Sequence, residues 1–160
     1  MSSVSDYAAV APAPVGLIGI RMSGGRLRGI DFAPQSKPVA TAPNGAVREV
    51  LDQLFHYFED PAWQFDLPLA MHGTPFQHRV WQALRRIPSG STRSYGEIAR
   101  QIRSSARAVG GACRRNPIPI VVPCHRVIAA GGGAGGFMGQ RDGGALAIKI
   151  WLLDHERRRS

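Results

Sequence analysis

The apolar run over residues 118–128 constrains the fold more than any other segment of this sequence. Two prolines, Pro119 and Pro123, interrupt it. Because proline lacks a backbone N–H and its ring clashes with the preceding helical turn, no regular helix can pass through these positions. We therefore predict a buried, extended strand that delivers Cys124 and His125 at its end.

The adjacent Cys124 and His125 are the first candidates for chemistry. Arginine-rich stretches flank them, and a thiol beside a histidine and positive charge can ionise near neutral pH. On an extended backbone, neighbouring side chains point to opposite faces, so His125 would activate Cys124 only through a turn or a bridging water. A buried structural cysteine beside a capping histidine is the alternative, and the dipeptide alone does not separate the two.

The basic residues are concentrated in the second half of the chain. Residues 1–70 carry five bases and seven acids, whereas residues 71–160 carry fifteen bases and four acids. No acid occurs between Glu97 and Asp142, and seven arginines fall in that interval. Such a stretch attracts polyanions, so nucleic acid is the first partner to consider. Coding bias is an alternative source of the charge, because 18 of the 20 bases are arginine, but it does not explain the missing acids.

Cysteine content and hydropathy bound the cellular setting. Cys113 and Cys124 are too few for a disulfide framework, and no CxxC or histidine-rich cluster offers a metal site. We expect Cys113 to serve packing, and we expect neither metal nor cofactor. No base precedes Arg21, Pro12 and Pro14 interrupt the first apolar stretch, and no run approaches the roughly 20 apolar residues of a spanning helix. The sequence predicts a cytoplasmic protein with no membrane contact.

Residues 1–70 predict a small α+β unit. Apolar residues over residues 15–32, with a Ser-Gly-Gly turn at residues 23–25, are typical of a β-hairpin. A loop rich in proline and alanine follows over residues 34–45. Apolar residues then recur at helical spacing, which predicts an amphipathic helix over residues 46–59 packed on the hairpin. The unit carries no obvious chemistry, so we interpret it as a scaffold domain.

Residues 71–160 predict a mostly helical second domain. Two capping boxes, over residues 74–77 and 94–97, mark the starts of two helices. A third helix, built mainly of small residues, follows over residues 106–115. The second and third helices are joined by a tight turn, which resembles a helix-turn-helix. A plain pair of helices packed in a core would give the same pattern.

Several segments of the second half together resemble the 6-O-alkylguanine-DNA alkyltransferase family, the methylated-DNA-protein-cysteine methyltransferases. These segments are Gly73-Thr74-Pro75-Phe76-Gln77, Ser94-Tyr95-Gly96-Glu97, Ala106-Arg107-Ala108-Val109-Gly110, Asn116-Pro117, Pro123-Cys124-His125-Arg126-Val127 and Leu152-Leu153-Asp154-His155-Glu156. The first half resembles only the hairpin and helix of the family's ribonuclease-H-like first domain. The resemblance implies an α+β fold, with that scaffold domain at residues 1–70 and an alkyltransferase and DNA-binding domain containing a helix-turn-helix at residues 71–160.

The resemblance implies direct-reversal DNA repair, in which a thiolate irreversibly takes the alkyl group from guanine O6, once per protein molecule. Cys124 would be the nucleophile and acceptor, His125 would deprotonate it through a water, and Glu156 would hold the imidazole in the useful tautomer. Tyr95 corresponds to the tyrosine that assists guanine departure and crowds the target phosphate, although an isolated tyrosine there is also compatible with packing. Asn116 corresponds to a hinge that ties the arginine-bearing helix to the active-site strand, and a helix stop is compatible with the same position.

The implied partner is double-stranded DNA containing 6-O-alkylguanine, bound through its minor groove by a monomer. The target nucleotide must leave the base stack, and Arg107 matches the arginine that fills the vacancy. A phosphate contact or a solvated side chain is the alternative for Arg107. The small Ala106 and Gly110 would let this helix approach both the groove and its own core closely, and Arg114 and Arg115 complete the DNA-binding set.

The resemblance also implies a pocket for the guanine, lined by Pro119, Val127, Phe137 and Met138. Three features depart from the family pattern. The turn at residues 103–105 is shorter than usual, Phe137 stands where a tyrosine is common, and residues 140–144 lengthen the spacing before the last helix. These differences bear on substrate preference and DNA contact more than on the chemistry.

Two other classes of protein fit parts of the pattern. A non-catalytic alkyltransferase-like protein would bind alkylated DNA and recruit other repair factors, but it would lack the cysteine that stands here as Cys124. A cysteine hydrolase would need an oxyanion site and a histidine distant in sequence, and we find neither signal.

Overall fold

The computed structural model describes residues 7–34, 45–130 and 144–158 of the chain. The chain folds as two compact units, Met1–Met71 and His72–Ser160. The architecture is α+β, as predicted, with five α-helices and two small sheets among the described residues. None of those helices is long and apolar enough to cross a membrane.

A three-stranded antiparallel sheet organises the first unit, in the order β1 (Ala9–Ala13), β2 (Gly16–Ser23) and β3 (Arg26–Phe32). Strands β2 and β3 confirm the predicted hairpin. Gly24 and Gly25 form its turn with φ angles of 56° and 80°, the left-handed conformation that suits a two-residue hairpin turn. Strand β1 is an addition to the prediction. It lies at the sheet edge, where Pro12 is tolerated although it lacks an N–H.

Helix α1 (Gly45–Glu59) confirms the predicted amphipathic helix and packs against β3. Gln53 connects it to the segment that follows, because its side-chain amide donates to Asp66 O and accepts from the Asp66 N–H, each at 2.9 Å. Most of the predicted loop over residues 34–45 lies outside the described residues.

Four helices form most of the second unit: α2 (Pro75–Arg85), α3 (Tyr95–Ile102), α4 (Ala106–Arg114) and α5 (Gly144–Arg157). Both predicted capping boxes are present. Thr74 and Gln77 satisfy each other's backbone N–H groups, and Ser94 and Glu97 do the same at the start of α3. Each box supplies acceptors for N–H groups that have none within their own helix, which is why these helices begin where the sequence indicates.

A hydrogen bond from α2 and a short turn from α3 hold these two helices against α4. The Trp81 indole on α2 is 2% exposed, and its Nε1–H donates to Ala112 O on α4 at 3.0 Å. Helix α3 ends at Arg103, whose left-handed φ of 59° turns the chain sharply. Ser105 then caps α4, so α3 and α4 pack on each other across a short turn.

Two short strands place the start of α3 beside the segment Cys124–Arg126. Strands β4 (Arg93–Ser94) and β5 (Val127–Ile128) pair in parallel, with Arg93 opposite Val127. Strand β4 leads directly into Tyr95, and β5 directly follows the Cys124–Arg126 segment. The two ladder partners therefore bring Tyr95 towards that segment.

The extended strand predicted over the proline-rich run is wrong. Residues 117–123 form tight turns, in which the Val122 N–H donates to Ile118 O at 2.9 Å. Ile120 has a φ of 75°, a left-handed conformation that is rare for a β-branched residue. The buried Asn116 side chain satisfies backbone groups of this run that a strand would have paired in a sheet. The predicted burial of the run is correct.

Candidate active site

Cys124 is the first residue of a short 3₁₀ helix, Cys124–Arg126, and it is 4% exposed. Its N–H donates to Val122 O at 2.8 Å, and its carbonyl accepts from the Val127 N–H. Hydrogen bonds thus fix the backbone on both sides of the thiol. The sequence required either a turn or a bridging water for His125 to activate Cys124, and the structure contains the turn. Consecutive side chains on such a turn are not forced to opposite faces as they are on a strand.

Asn116 connects α4 to this turn. Its Nδ2 donates to Val122 O at 2.8 Å and its Oδ1 accepts from the Ile118 N–H at 3.0 Å. The side chain is enclosed, since Asn116 is 2% exposed. The two bonds tie the C-terminal end of the arginine-bearing helix to the residues that precede Cys124.

His125 and Glu156 form a buried pair across the turn and α5. His125 Nε2 lies 2.7 Å from Glu156 Oε2, and the two side chains are 0% and 1% exposed. We assign the Nε2 proton to this contact, which leaves the lone pair on Nδ1. Nδ1 is buried and finds no hydrogen-bond partner among the described residues. A ring nitrogen of this kind, one residue from Cys124, is a suitable proton acceptor for a thiol.

Arg126 is a third residue in contact with Glu156, and the sequence did not indicate that it belongs to the site. Its Nε donates to Glu156 Oε1 and its Nη2 to Glu156 Oε2, each at 2.9 Å, while Nη1 donates to Ile87 O at 2.7 Å. Two parallel bonds of this type are the strongest arrangement between a guanidinium and a carboxylate. The sequence feature that could have indicated a role for Arg126 is its position directly after the Cys124-His125 dipeptide.

The protonation states of these groups follow from burial and charge. Burial raises the pKa of the Glu156 carboxyl, but hydrogen bonds and charge from His125 and Arg126 outweigh it and hold that pKa well below its usual range. Burial lowers the pKa of the His125 imidazole, and although Glu156 opposes the shift, Arg126 and Lys149 add to it. At neutral pH, Glu156 is therefore ionised and His125 is neutral, as a general base must be.

Lys149 is a second residue that the sequence analysis did not single out. It lies on α5 at 0% exposure, and its Nζ donates to Val127 O at 2.7 Å. The ammonium also stands 5.9 Å from the centroid of the half-buried Tyr95 ring. Lys149 and Glu156 are seven residues apart, which places them on one face of a helix. The sequence feature that could have indicated a role for Lys149 is a lysine inside the apolar stretch of that helix.

The Cys124 thiol is protonated at rest. Burial raises its pKa to about 11, although hydrogen bonding from Asn116 and the charge of Lys149 both lower it. The sequence suggested instead that the neighbouring His125 and the flanking arginine-rich stretches could let this thiol ionise near neutral pH. The structure departs from that interpretation because Arg126, the arginine nearest in sequence, binds Glu156. Removal of the thiol proton therefore needs a base.

Of the residues proposed for DNA contact, Tyr95 begins α3 and the others lie along α4 and at its end. Ala106, Arg107, Arg114 and Arg115 are exposed, and Gly110 is half-buried. The expectation that Gly110 is small so that α4 can approach its own core is wrong, because a Cβ at that position would meet no atom within 4 Å. The small size of this residue leaves room on the outer face of the helix instead.

The residues proposed for the guanine pocket are described only in part. Pro119 and Val127 are buried, and Val127 directly follows the Cys124–Arg126 turn, whereas Phe137 and Met138 lie outside the described residues. Within the described ranges, no group of three histidine, cysteine, aspartate or glutamate side chains is placed to hold a metal ion.

Comparison with known proteins matches this arrangement. A family model described as the DNA-binding domain of 6-O-methylguanine DNA methyltransferase matches residues 75–158. A methylated-DNA-protein-cysteine methyltransferase of Mycobacterium leprae is 52% identical over 116 residues, which are 71% of this chain and 67% of that protein. A protein of the same name from Methanosarcina acetivorans is 41% identical over 158 residues, covering 94% of this chain and 97% of the relative.

Solved structures give the same result. The crystal structure of Mycobacterium tuberculosis OGT in complex with DNA superimposes with a TM-score of 0.79 at 41% sequence identity, covering 94% of this chain and 92% of that one. The chain belongs to the 6-O-methylguanine-DNA methyltransferase family. The resemblance carried by the Pro123–Val127 motif is thereby confirmed.

Proposed function

We propose that this chain transfers the alkyl group of 6-O-alkylguanine in duplex DNA to its own Cys124. DNA repair by alkyl transfer to a cysteine is the activity of the family, and the chain is an enzyme of that class. One observation supports Cys124 as the acceptor. Its turn also contains His125, and His125 is hydrogen-bonded to Glu156 in the interior of the protein. Cys113 lies inside α4, and we assign it to packing.

The reaction forms a bond from Cys124 Sγ to the alkyl carbon and breaks the bond from that carbon to guanine O6. The thiol proton passes through a water to His125 Nδ1, whose burial and open lone pair support this role. The departing guanine takes up a proton with the help of the Tyr95 hydroxyl. The product is a thioether at Cys124, which has no ready route back to a thiol, so each molecule reacts once.

Glu156 and Arg126 keep the base in its working state. Glu156 accepts the Nε2–H of His125, which orients the ring and stabilises the positive charge that it gains during the reaction. Arg126 binds the same carboxylate, so Glu156 stays ionised and His125 starts neutral. Asn116 positions the backbone before Cys124 through its bonds to Ile118 and Val122.

DNA binding is assigned to α3 and α4 as a helix-turn-helix that enters the minor groove. We assign Arg107 to enter the base stack when the target nucleotide rotates out, and its exposure on the first turn of α4 supports this role. Unstacking and unpairing cost a few kcal/mol, which an inserted side chain offsets in part. Arg114 and Arg115 extend the positive surface at the other end of the helix.

The role of the first unit and the setting of the protein complete the proposal. We assign residues 1–70 to a ribonuclease-H-like scaffold, supported by the three-stranded sheet and α1 packed on it. We infer a monomer, as the resemblance implies, and we assign it to the cytoplasm because its two free cysteines suit a reducing compartment. We propose no cofactor, because the transfer needs only a thiol, a base and an acid.

Mass spectrometry tests the acceptor directly. The protein is mixed with a duplex oligonucleotide that carries 6-O-methylguanine, and its peptides are analysed. We expect one methyl group on the peptide that contains Cys124, and no conversion beyond one equivalent of DNA. An unmodified Cys124, with the methyl group elsewhere or still on the DNA, contradicts the proposal.

Two cysteine variants form the matched control. Cys124→Ser removes the proposed nucleophile and should abolish transfer, whereas Cys113→Ser changes a second buried cysteine and should leave it in place. Circular dichroism and thermal unfolding establish that both variants are folded. Transfer by folded Cys124→Ser would assign the acceptor role to another residue.

A further inference from the structure

The turn between α3 and α4 has an arginine at a position that usually belongs to glycine. The Ser104 N–H donates to Ala99 O at 2.8 Å. The Arg103 N–H donates to Arg100 O at 3.4 Å. These two bonds form the Schellman motif that ends many helices, in which the residue at the position of Arg103 adopts a left-handed conformation. Arg103 has a φ of 59°, a conformation that glycine adopts without strain and a residue with a Cβ does not.

Contacts that do not involve the Arg103 side chain hold this turn. The last carbonyl of α3, Ile102 O, accepts from the Arg79 guanidinium on α2. Ser105 caps the start of α4 by accepting from the Ala108 N–H at 3.1 Å. Arg103 itself is exposed, and within the described part of the chain its guanidinium has no hydrogen-bond or ion-pair partner. The local structure therefore does not require an arginine here, and the backbone conformation favours another residue.

Arg103 lies between the two helices that we assign to DNA. Tyr95 begins α3, Arg107 lies on the first turn of α4, and Arg103 belongs to the turn that joins them. Arg100, on the last turn of α3, is also exposed and adds a second positive charge. The N-terminal end of α4 starts three residues after Arg103 and carries a positive partial charge. An anion bound at this turn would therefore be attracted by all three groups.

We propose that Arg103 binds a phosphate of duplex DNA, and that the Schellman turn fixes the backbone that carries its side chain. Residues held in a strained backbone conformation by their surroundings cluster at functional sites, and a charged contact explains an arginine where glycine fits better. The inference rests on the proposed assignment of α3 and α4 to DNA. It gives the short turn at residues 103–105 a role in DNA binding, separate from the insertion assigned to Arg107.

Binding to an unmodified duplex oligonucleotide tests the contact without alkyl transfer. Fluorescence anisotropy gives the affinity over a range of salt concentrations, because each phosphate contact contributes about 0.9 to the slope of log affinity against log salt. Arg103→Gly removes both the charge and the backbone strain, Arg103→Gln removes the charge alone, and Arg103→Lys keeps the charge. The matched control for charge is Arg26→Gln, at an exposed position of the first unit.

We expect Arg103→Gly and Arg103→Gln to bind the duplex about threefold more weakly at low salt, with a slope smaller by about 0.9. Arg103→Lys and Arg26→Gln should keep the slope of the parent protein. Unchanged affinity and slope in both uncharged Arg103 variants overturn the proposal. An equal loss in Arg26→Gln has the same consequence, because it indicates a general effect of net charge.

Thermal unfolding separates a DNA contact from a structural role. Because Arg103→Gly relieves the left-handed strain, its melting temperature should equal that of the parent or exceed it by up to about 4 °C. Ala33→Gly is the matched control for the backbone, since the exposed Ala33 has a φ of 49°, and it should not weaken DNA binding.

If affinity and melting temperature both fall in Arg103→Gly and Arg103→Gln, the arginine supports the turn and the proposal is wrong. All of these outcomes are distinct from failure of the proposed function, which appears as wild-type protein whose Cys124 gains no methyl group from DNA.

Discussion

Arg126 binds both carboxylate oxygens of Glu156, through Nε and Nη2 at 2.9 Å each. The same carboxylate lies 2.7 Å from His125 Nε2, so two neighbouring residues of one 3₁₀ turn share a single buried anion on α5. This arrangement makes the base of the site dependent on an arginine that does not itself accept or donate the reacting proton.

Replacement of Arg126 should therefore affect stability strongly. In Arg126→Met the Glu156 carboxylate remains buried without the two hydrogen bonds from the guanidinium, and we expect a loss of about 3 kcal/mol in the free energy of unfolding. Denaturant unfolding at neutral pH measures it. The control is Arg158→Met, at an exposed position, which should change stability by less than about 0.5 kcal/mol. Similar small losses in both variants would show that the buried pair contributes little.

Acid should destabilise the protein in two stages. The pKa values of His125 and Glu156 are both lowered in the folded state, so the unfolded chain takes up protons first and stability is lost as the pH falls. The first stage begins below about 6.5 and belongs to His125, and the second begins below about 4.3 and belongs to Glu156. Each stage has a maximum slope of about 1.4 kcal/mol per pH unit.

Unfolding free energies measured from pH 8 to pH 4 test the first stage. His125→Gln should remove the first stage and leave the curve nearly flat down to about pH 5. The same substitution at the exposed His72 is the matched control and should leave the first stage in place. A first stage that persists in His125→Gln would assign the proton uptake to another group.

Arg107→Ala should separate duplex repair from the chemistry of transfer. If the side chain stabilises the rotated nucleotide, transfer from duplex DNA at saturating concentration should fall about tenfold, since the cost that it offsets is a few kcal/mol. Reaction with free 6-O-methylguanine should remain within about twofold. A phosphate contact by Arg107 predicts a different result. Duplex binding would weaken and its salt dependence would fall by about one ion, whereas the transfer rate at saturating DNA would stay unchanged. Equal loss with both substrates would exclude the insertion role.

Gly110→Ala tests whether the outer face of α4 meets DNA. A Cβ there meets no protein atom within 4 Å, and alanine favours a helix over glycine by about 1 kcal/mol, so the variant should be more stable in thermal unfolding. If α4 enters the minor groove, the added methyl group should weaken duplex binding while reaction with free 6-O-methylguanine stays unchanged. Raised stability with unaltered DNA affinity would place this face away from the groove.

The helices of the second unit could be predicted because their signals are local. The Thr74–Gln77 and Ser94–Glu97 boxes form within four residues, so no tertiary information is needed to place the starts of α2 and α3. The Gly24-Gly25 turn specifies the hairpin in the same way. Strand β1 lacks such a signal, since its pairing depends on the free edge of β2.

The run before Cys124 and the two additional site residues depend on contacts that are distant in sequence or carried by side chains. The strand prediction for the run from Ile118 to Cys124 took account of the prolines but not of the Asn116 amide, which replaces a sheet partner. Arg126 reaches Glu156 thirty residues away. Lys149 reaches Val127 across twenty-two residues. Composition and periodicity carry no information on such pairs until the chain is folded.

The bond from Trp81 to Ala112 has a practical consequence. The Trp81 indole reports on the very helix that carries Arg107, because its Nε1–H donates to a carbonyl of α4. Emission from a buried indole responds to the loss of such a bond. Once Trp63 and Trp151 are replaced by phenylalanine, so that Trp81 is the sole indole, displacement of α4 by DNA or by a bulky group newly attached to Cys124 can be followed optically and in real time, with no dye attached to the protein.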